Sequence, residues 1–355
     1  MILLLILLIL ISIYGINFKS INTIDSDALS KNRTTMINGV FVLAVLISHF
    51  NSYVLEYQET NRLYFTFFNL IGQLMVTTFL FYSGYGVLES IKNKKNYMDT
   101  FFENRILKLF IRFSIAILFF LFLDICINEP YSLKTILLSF IGYEAVGNSN
   151  WFIFAIFCMY FITLFAFKIC KNVLKSINIV TMLSFVYILF IVVMNKDNHW
   201  CNTILCYSIG MYFSYYKDKI LLFLKDNKKY YLTLFILMVS FIFLYLISRM
   251  LYYRIINLIL YNLISILFVL MILFLSFKVY IGNKILYFLG KNTFNIYILQ
   301  RISYILFKEV GLNEVNVYLY FIVSIIFTLL LSIIFDKIVN TAYKYLLKEK
   351  AWKIY

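Results

Sequence analysis

One proline, 11 glycines and two histidines are all that 355 residues contain of these types. So little proline and glycine excludes low-complexity linkers and long irregular loops, and the single Pro130 cannot punctuate a multidomain chain. Charge is equally scarce: 14% of residues are charged and 63% are apolar, with a mean hydropathy of +0.87. That balance excludes an ordinary soluble domain. The five cysteines, Cys126, Cys158, Cys170, Cys201 and Cys206, form no CxxC pair and no metal-ligand spacing, so neither a disulfide framework nor a metal centre is expected and they read as small core residues. No repeat of 20–50 residues is present. The N-terminal MILLLILLILISIYGI lacks the basic start and small-residue cleavage site of a signal peptide.

What is there in abundance is long apolar sequence. A membrane span needs about 20 mostly apolar residues, because backbone polar groups in hydrocarbon must be paired within the segment. Eleven stretches qualify, near 1–16, 36–55, 64–88, 106–127, 151–168, 177–194, 201–216, 231–248, 255–277, 293–307 and 316–336. The expectation is an all-α polytopic membrane protein of about 11 transmembrane helices: an extra helix at 1–16, a cytoplasmic linker at 17–35, a ten-helix domain at 36–340 and a basic cytoplasmic tail at 341–355. The net charge of +15 reads as topology. With 17–35 inside, 25 of the 32 Lys and Arg residues fall on the cytoplasmic side and 7 outside, and the C-terminus is cytoplasmic. Basic loops beside anionic headgroups need no nucleic acid, and none is expected.

His49 lies about 13 residues into the span that opens near Met36, roughly 20 Å along its axis. An ionisable group at that depth usually faces a protein interior or a wet cavity. It reads either as a neutral imidazole hydrogen-bonded between helices or as a general base, since imidazole titrates nearest neutral pH. His199, beside Trp200 in a short outer loop, reads as interfacial. Four other charges lie in or near spans: Arg112 and Arg301, each able to meet a carboxylate or a phosphate, and the acidic Glu89 and Asp124. The outer loop 128–150 is the longest outer connection, and its polar and aromatic residues suit either an interfacial segment or a sugar. The run Ile285–Leu289, flanked by cations, suggests a short re-entrant or interfacial helix.

Four motifs, in order, resemble the membrane acyltransferases called acyltransferase family 3. They are the glycine and apolar run from Gly39 to His49; FLFYSGYG with Ser83, Gly84 and Tyr85, followed by ENRILK with Arg105 and Lys108; NSNWFIF with Asn150 and Trp151; and LGKNTFNIYILQ with Gly290, Tyr297 and Gln300. The resemblance spans most of the chain. It implies a multi-pass enzyme of a bacterial plasma membrane. Such an enzyme moves an acyl group, typically acetyl, from cytoplasmic acyl-CoA to a hydroxyl of an extracytoplasmic polysaccharide or glycolipid. His49 would be catalytic, as general base or acyl relay. Asn38, Arg33, Arg105 and Lys108 would meet the donor, and Ser83, Tyr85, Asn150, Trp151, Tyr297 and Gln300 the substrates. No metal and no permanently bound cofactor is implied.

Two positions depart from the family pattern. Asn38 stands where a cation is common, eleven residues before His49; that spacing advances a helix by about 1100°, so the two share a face about 16 Å apart. Asn38 cannot neutralise phosphate, which shifts that role to Arg33 or to inner-loop cations such as Arg105. Gln300 stands where histidine is common and cannot titrate. Outside the enzyme class, a flippase for a polysaccharide precursor or a non-catalytic membrane partner fits the same composition. The absence of Pro-broken spans and repeated halves counts against transport.

Overall fold

A computed structural model describes residues 1–19, 23–128, 130–251 and 253–347. The expected basic tail therefore lies outside the described residues from 348 onward, and residues 20–22 of the linker, 129 and 252 are likewise outside. The described chain is almost wholly helical: α1 (Ile2–Ile13), α2 (Lys31–Phe50), α3 (Arg62–Ile71), α4 (Thr77–Asn93) and α5 (Lys108–Ile127) come first. They are followed by α6 (Leu133–Ser139), α7 (Trp151–Ile169), α8 (Val173–Val193), α9 (Leu205–Leu224) and α10 (Asn227–Met250). The last five are α11 (Arg254–Ser276), α12 (Lys284–Lys291), α13 (Thr293–Glu309), α14 (Leu312–Val315) and α15 (Val317–Leu346). Asparagine, serine and aspartate side chains start several of them, Ser30 on α2, Asn172 on α8, Asp226 on α10, Asn283 on α12 and Asn316 on α15, each accepting a first-turn N–H.

Eight helical stretches among the described residues are long and apolar enough to cross a membrane. The chain is an all-α polytopic membrane protein. The other three expected spans fall on α1, α9 and α13, and the physical reason that α9 and α13 read weakly is the same for both. Their polar residues face protein instead of lipid: Tyr207, Ser208 and Ser214 are buried on α9, as are Asn295, Gln300 and Ser303 on α13. Helix α13 packs against α2, α5 and α15 and so sits at the centre of the domain.

The span expected at 64–88 lies within one of these eight stretches, Arg62–Asn93, but is not one regular helix. Gly72, at φ +32°, ends α3 and opens a 3-10 turn, Gly72–Val76, before α4 begins, so α3 is a separate ten-residue amphipathic helix. The expected short helix near 285–289 is α12. The linker 17–35 is fastened down, with Asn17–Phe18 (β1) and Val279–Tyr280 (β2) forming a small antiparallel pair. The cysteines divide: Cys201 and Cys206 are buried, whereas Cys158 and Cys170 are half-buried and Cys126 is exposed, so the core reading fails for Cys126.

Two helix pairs approach to backbone contact, and glycine makes both possible. On α2 a Cβ at Gly39 would overlap the Leu286 carbonyl, and on α12 one at Gly290 would overlap the Thr35 carbonyl. Gly84 of α4 and Gly210 of α9 stand in the same relation to the carbonyls of Tyr207 and Phe81. Backbone cannot step aside as a flexible side chain can. Gly39→Ala and Gly290→Ala are therefore each expected to cost about 3 kcal/mol, the upper end for overpacking. The check is the thermal midpoint of the detergent-purified protein, which an equivalent change at Gly86, where nothing lies within 4 Å of an added Cβ, leaves nearly unchanged.

Candidate active site

Because α12 lies against α2, its C-terminal end meets the first turns of α2, and the two helices form one wall of a cavity of about 400 Å³. Thr34 and Asn38 come from α2, Gly290 and Lys291 from α12, and Thr293, Phe294 and Tyr297 from α13. The opposite wall carries Phe79, Tyr82 and Ser83 of α4 and Phe152, Ile156 and Tyr160 of α7. Arg105 and Leu109 complete it. Arg105 lies in a stretch of wider π-helix, Phe102–Leu107, a turn type that often marks functional positions. Its Nε donates to Tyr97 Oη at 2.7 Å, and it has no ion-pair partner among the described residues. Lys291 is exposed and likewise unpaired among them. No acidic residue lines the cavity, so its electrostatic character is set by these two cations.

The inner end of the cavity is aromatic. Tyr297 and Phe152 stack edge to face at 5.4 Å, and beyond them the Tyr297 ring lies 5.8 Å from the imidazole of His49. His49 itself does not line the cavity. Gln300 Nε2 donates to His49 Nδ1 at 2.7 Å and to the Tyr297 carbonyl at 3.0 Å, and the Ser149 hydroxyl lies 3.5 Å from the same Nδ1. Arg301 Nε donates to Ser149 Oγ at 2.9 Å. The imidazole is half-buried, and its Nε2 has no protein partner among the described residues. Three nearby polar atoms are buried without a partner: Gln300 Oε1, Tyr297 Oη and Asn148 Nδ2.

The residues expected from sequence thus fall into three sets. Asn38, Ser83, Arg105 and Tyr297 line one cavity, with Ser83 Oγ and Tyr160 Oη hydrogen-bonded at 3.0 Å. His49 and Gln300 touch each other just beyond it, and Trp151 reaches them through Phe152, whose ring is 5.9 Å away. Asn150 caps α7 with its carbonyl, which accepts from Ile153 and Phe154 N–H. The remaining three lie elsewhere. Arg33 is buried and committed to Asp25 at 3.2 Å, with its guanidinium 4.1 Å above the Tyr280 ring, so it does not take the place of a cation at position 38. Lys108 donates to Asn104. Tyr85 packs on Phe213 of α9. No carboxylate reaches His49 among the described residues: Glu89 is held by Ser214, Lys92 and Lys217, and Arg112 pairs with Asp336 at 2.6 Å.

Sequence reasoning missed Lys291, Ser149 and the Asp336 partner of Arg112. Lys291 had a signal, since it directly follows the glycine that brings α12 onto α2. Ser149 lies inside the quoted NSNWFIF, but its partners were not legible, because they depend on a loop folding back over α13, where Gly147 packs against Ile305 and Phe120.

The arrangement defines a membrane protein with a cationic cavity on one side of an aromatic pair and a hydrogen-bonded histidine on the other. A family model described as an acyltransferase domain matches residues 36–337. The chain belongs to this acyltransferase family and is an acyltransferase. No curated protein and no solved structure matches it.

His199, in the turn between α8 and α9, packs 5.7 Å from the Trp151 ring, edge to face, and beside Trp200. Burial against these rings lowers its pKa from the usual imidazole value, and Asp197 only partly opposes that. The unfolded chain therefore takes up a proton near pH 6.5 that the folded protein resists, so the stability His199 contributes is present above that pH and is lost as pH falls below it. The thermal midpoint of the wild type is expected to drop more between pH 7 and pH 5 than that of His199→Gln.

Proposed function

We propose that the protein transfers an acyl group, acetyl in the simplest case, from acyl-CoA to a hydroxyl of an extracytoplasmic polysaccharide or glycolipid. The reading places it in the plasma membrane of a bacterium with the cavity open to the cytoplasm. What carries it is continuity: a cavity lined by two cations that are unpaired among the described residues, with no acid in its lining, ends on a tyrosine ring in contact with His49. The cations suit the phosphates of CoA, replacing the charge missing at Asn38. The aromatic and neutral walls suit the pantetheine arm.

At the far end His49 takes the proton of the acceptor hydroxyl, the oxygen attacks the thioester carbonyl, the C–S bond breaks and the CoA thiolate leaves to be protonated. In the relay version the imidazole nitrogen attacks first and the acceptor oxygen then displaces it. Gln300 selects the nitrogen. With its Nε2 donating to Nδ1, the neutral imidazole carries its proton on Nε2; for Nε2 to act as the base, the amide must let go of both Nδ1 and the Tyr297 carbonyl so that Oε1 can accept from Nδ1–H instead.

Purified protein given radiolabelled acetyl-CoA and surface glycan is expected to label the glycan. His49→Ala should lose at least about 100-fold in rate, the scale of general-base removal; full activity in that variant would sink the mechanism. Arg105→Gln and Lys291→Gln should instead raise the KM for acetyl-CoA about tenfold each, as expected for losing one charge-assisted contact, with kcat changed far less. An unchanged KM in both would remove the donor from this cavity.

A further inference from the structure

Arg301 is a guanidinium inside the helix that carries Gln300, and it is the cation nearest His49 in the hydrogen-bond network. Its Nε donates to Ser149 Oγ, and the phenols of Tyr53, Tyr297 and Tyr304 lie within its electrostatic reach. No carboxylate pairs with it among the described residues. Arg112, a guanidinium on α5, has Asp336. A half-buried guanidinium without an anion is costly in a membrane domain, and such charges pair with whatever the site binds.

The neighbouring groups are donors too. Asn148 is 4% exposed, and its Oδ1 accepts from the Val146 N–H at 2.9 Å, which fixes the amide orientation and leaves Nδ2 as a buried donor without a partner. Tyr297 Oη is buried and unpartnered as well. Among the described residues, Tyr297 Oη, on the ring beside His49, and Asn148 Nδ2, on the residue before Ser149, thus have no protein acceptor, and Arg301 has no anionic one. Three donors and no acid describe a receptor for an oxyanion group.

We propose that Arg301, positioned by Ser149 and assisted by Asn148, binds a carboxylate or phosphate of the acceptor, so that the hydroxyl acylated at His49 belongs to an acidic glycan. The inference rests on the acyl-transfer reading for the role of His49 but not for the binding itself. Ser149 is a positioning residue: it holds the Arg301 side chain and lies against the Nδ1 face of the imidazole, which couples docking of the anion to the orientation of the base.

The test is binding to the purified full-length protein, read as a thermal shift. The probes are a trisaccharide containing glucuronic acid, the same trisaccharide after carboxyl reduction, and a neutral trisaccharide bearing one phosphate monoester. At least one charged sugar should raise the midpoint by several degrees in a salt-sensitive way, while the reduced sugar does not. Which charged sugar acts distinguishes carboxylate from phosphate. Arg301→Gln should abolish the shift and Arg301→Lys should retain part of it, the second variant guarding against a folding defect in the first. Equal shifts from the charged and reduced sugars, or a full shift in Arg301→Gln, would overturn the proposal. Acetyl transfer is measured in parallel, with Arg301→Gln expected to raise KM for the charged acceptor at least tenfold more than for a neutral acceptor. Charge-dependent binding without transfer would count against the acyl-transfer reading alone. Equal loss of kcat on both acceptors would instead assign Arg301 to the reacting carbonyl and refute acceptor binding.

Discussion

Close contact between α2 and α12 is the constraint on which the site depends. The two helices touch through backbone at Gly39 and Gly290, and every other spacing in the cavity follows. That contact puts Lys291 beside Thr34 and Asn38 and starts α13 in the register at which Gln300 meets His49. Asn283 secures the other end of α12. Its Oδ1 caps the helix while its Nδ2 donates to the Ile11 and Tyr14 carbonyls at the end of α1. A helix of eight residues is thereby held at both ends, which compensates for the marginal stability of a helix so short.

Hydrocarbon enforces a sorting of charge across the domain, because an unpaired ion there is expensive. Some are matched: Arg112 with Asp336 ties α5 to α15, and Glu89 with Ser214 and Lys217 ties α4 to α9. Asn295 and Asn340 donate to the same Asp336 carboxylate, so that pair also fixes the start of α13. Arg105, Lys291 and Arg301, beside the cavity or His49, have no carboxylate partner among the described residues.

The helical membrane fold was legible because hydrocarbon imposes it directly: 20 apolar residues have few other uses. Legibility failed where protein replaces lipid as the surroundings. Helices α9 and α13 carry buried serines, an asparagine and a glutamine that lower their hydropathy, yet these residues face neighbouring helices and not lipid. The Gly72 break was invisible because α3 and α4 are both apolar, and only backbone geometry separates them. For the site, periodicity along α2 placed Asn38 and His49 on one face, and the motifs reached Gln300 and Arg105. What one helix cannot report is partnership across helices. Arg33, near in sequence to Asn38, points away to Asp25, whereas Lys291, 253 residues from Asn38, shares its cavity.

The aromatic pair of Phe152 and Tyr297 has a consequence for the membrane as a whole. A wet vestibule on each side of a bilayer is safe only if the two never join, since a continuous file of water would conduct protons and discharge the gradient the cell maintains. Two rings in edge-to-face contact at 5.4 Å leave no room for water between themselves. On the acyl-transfer reading proposed above, the rings that bring donor and acceptor together are also the ones that stand between the two sides of the site.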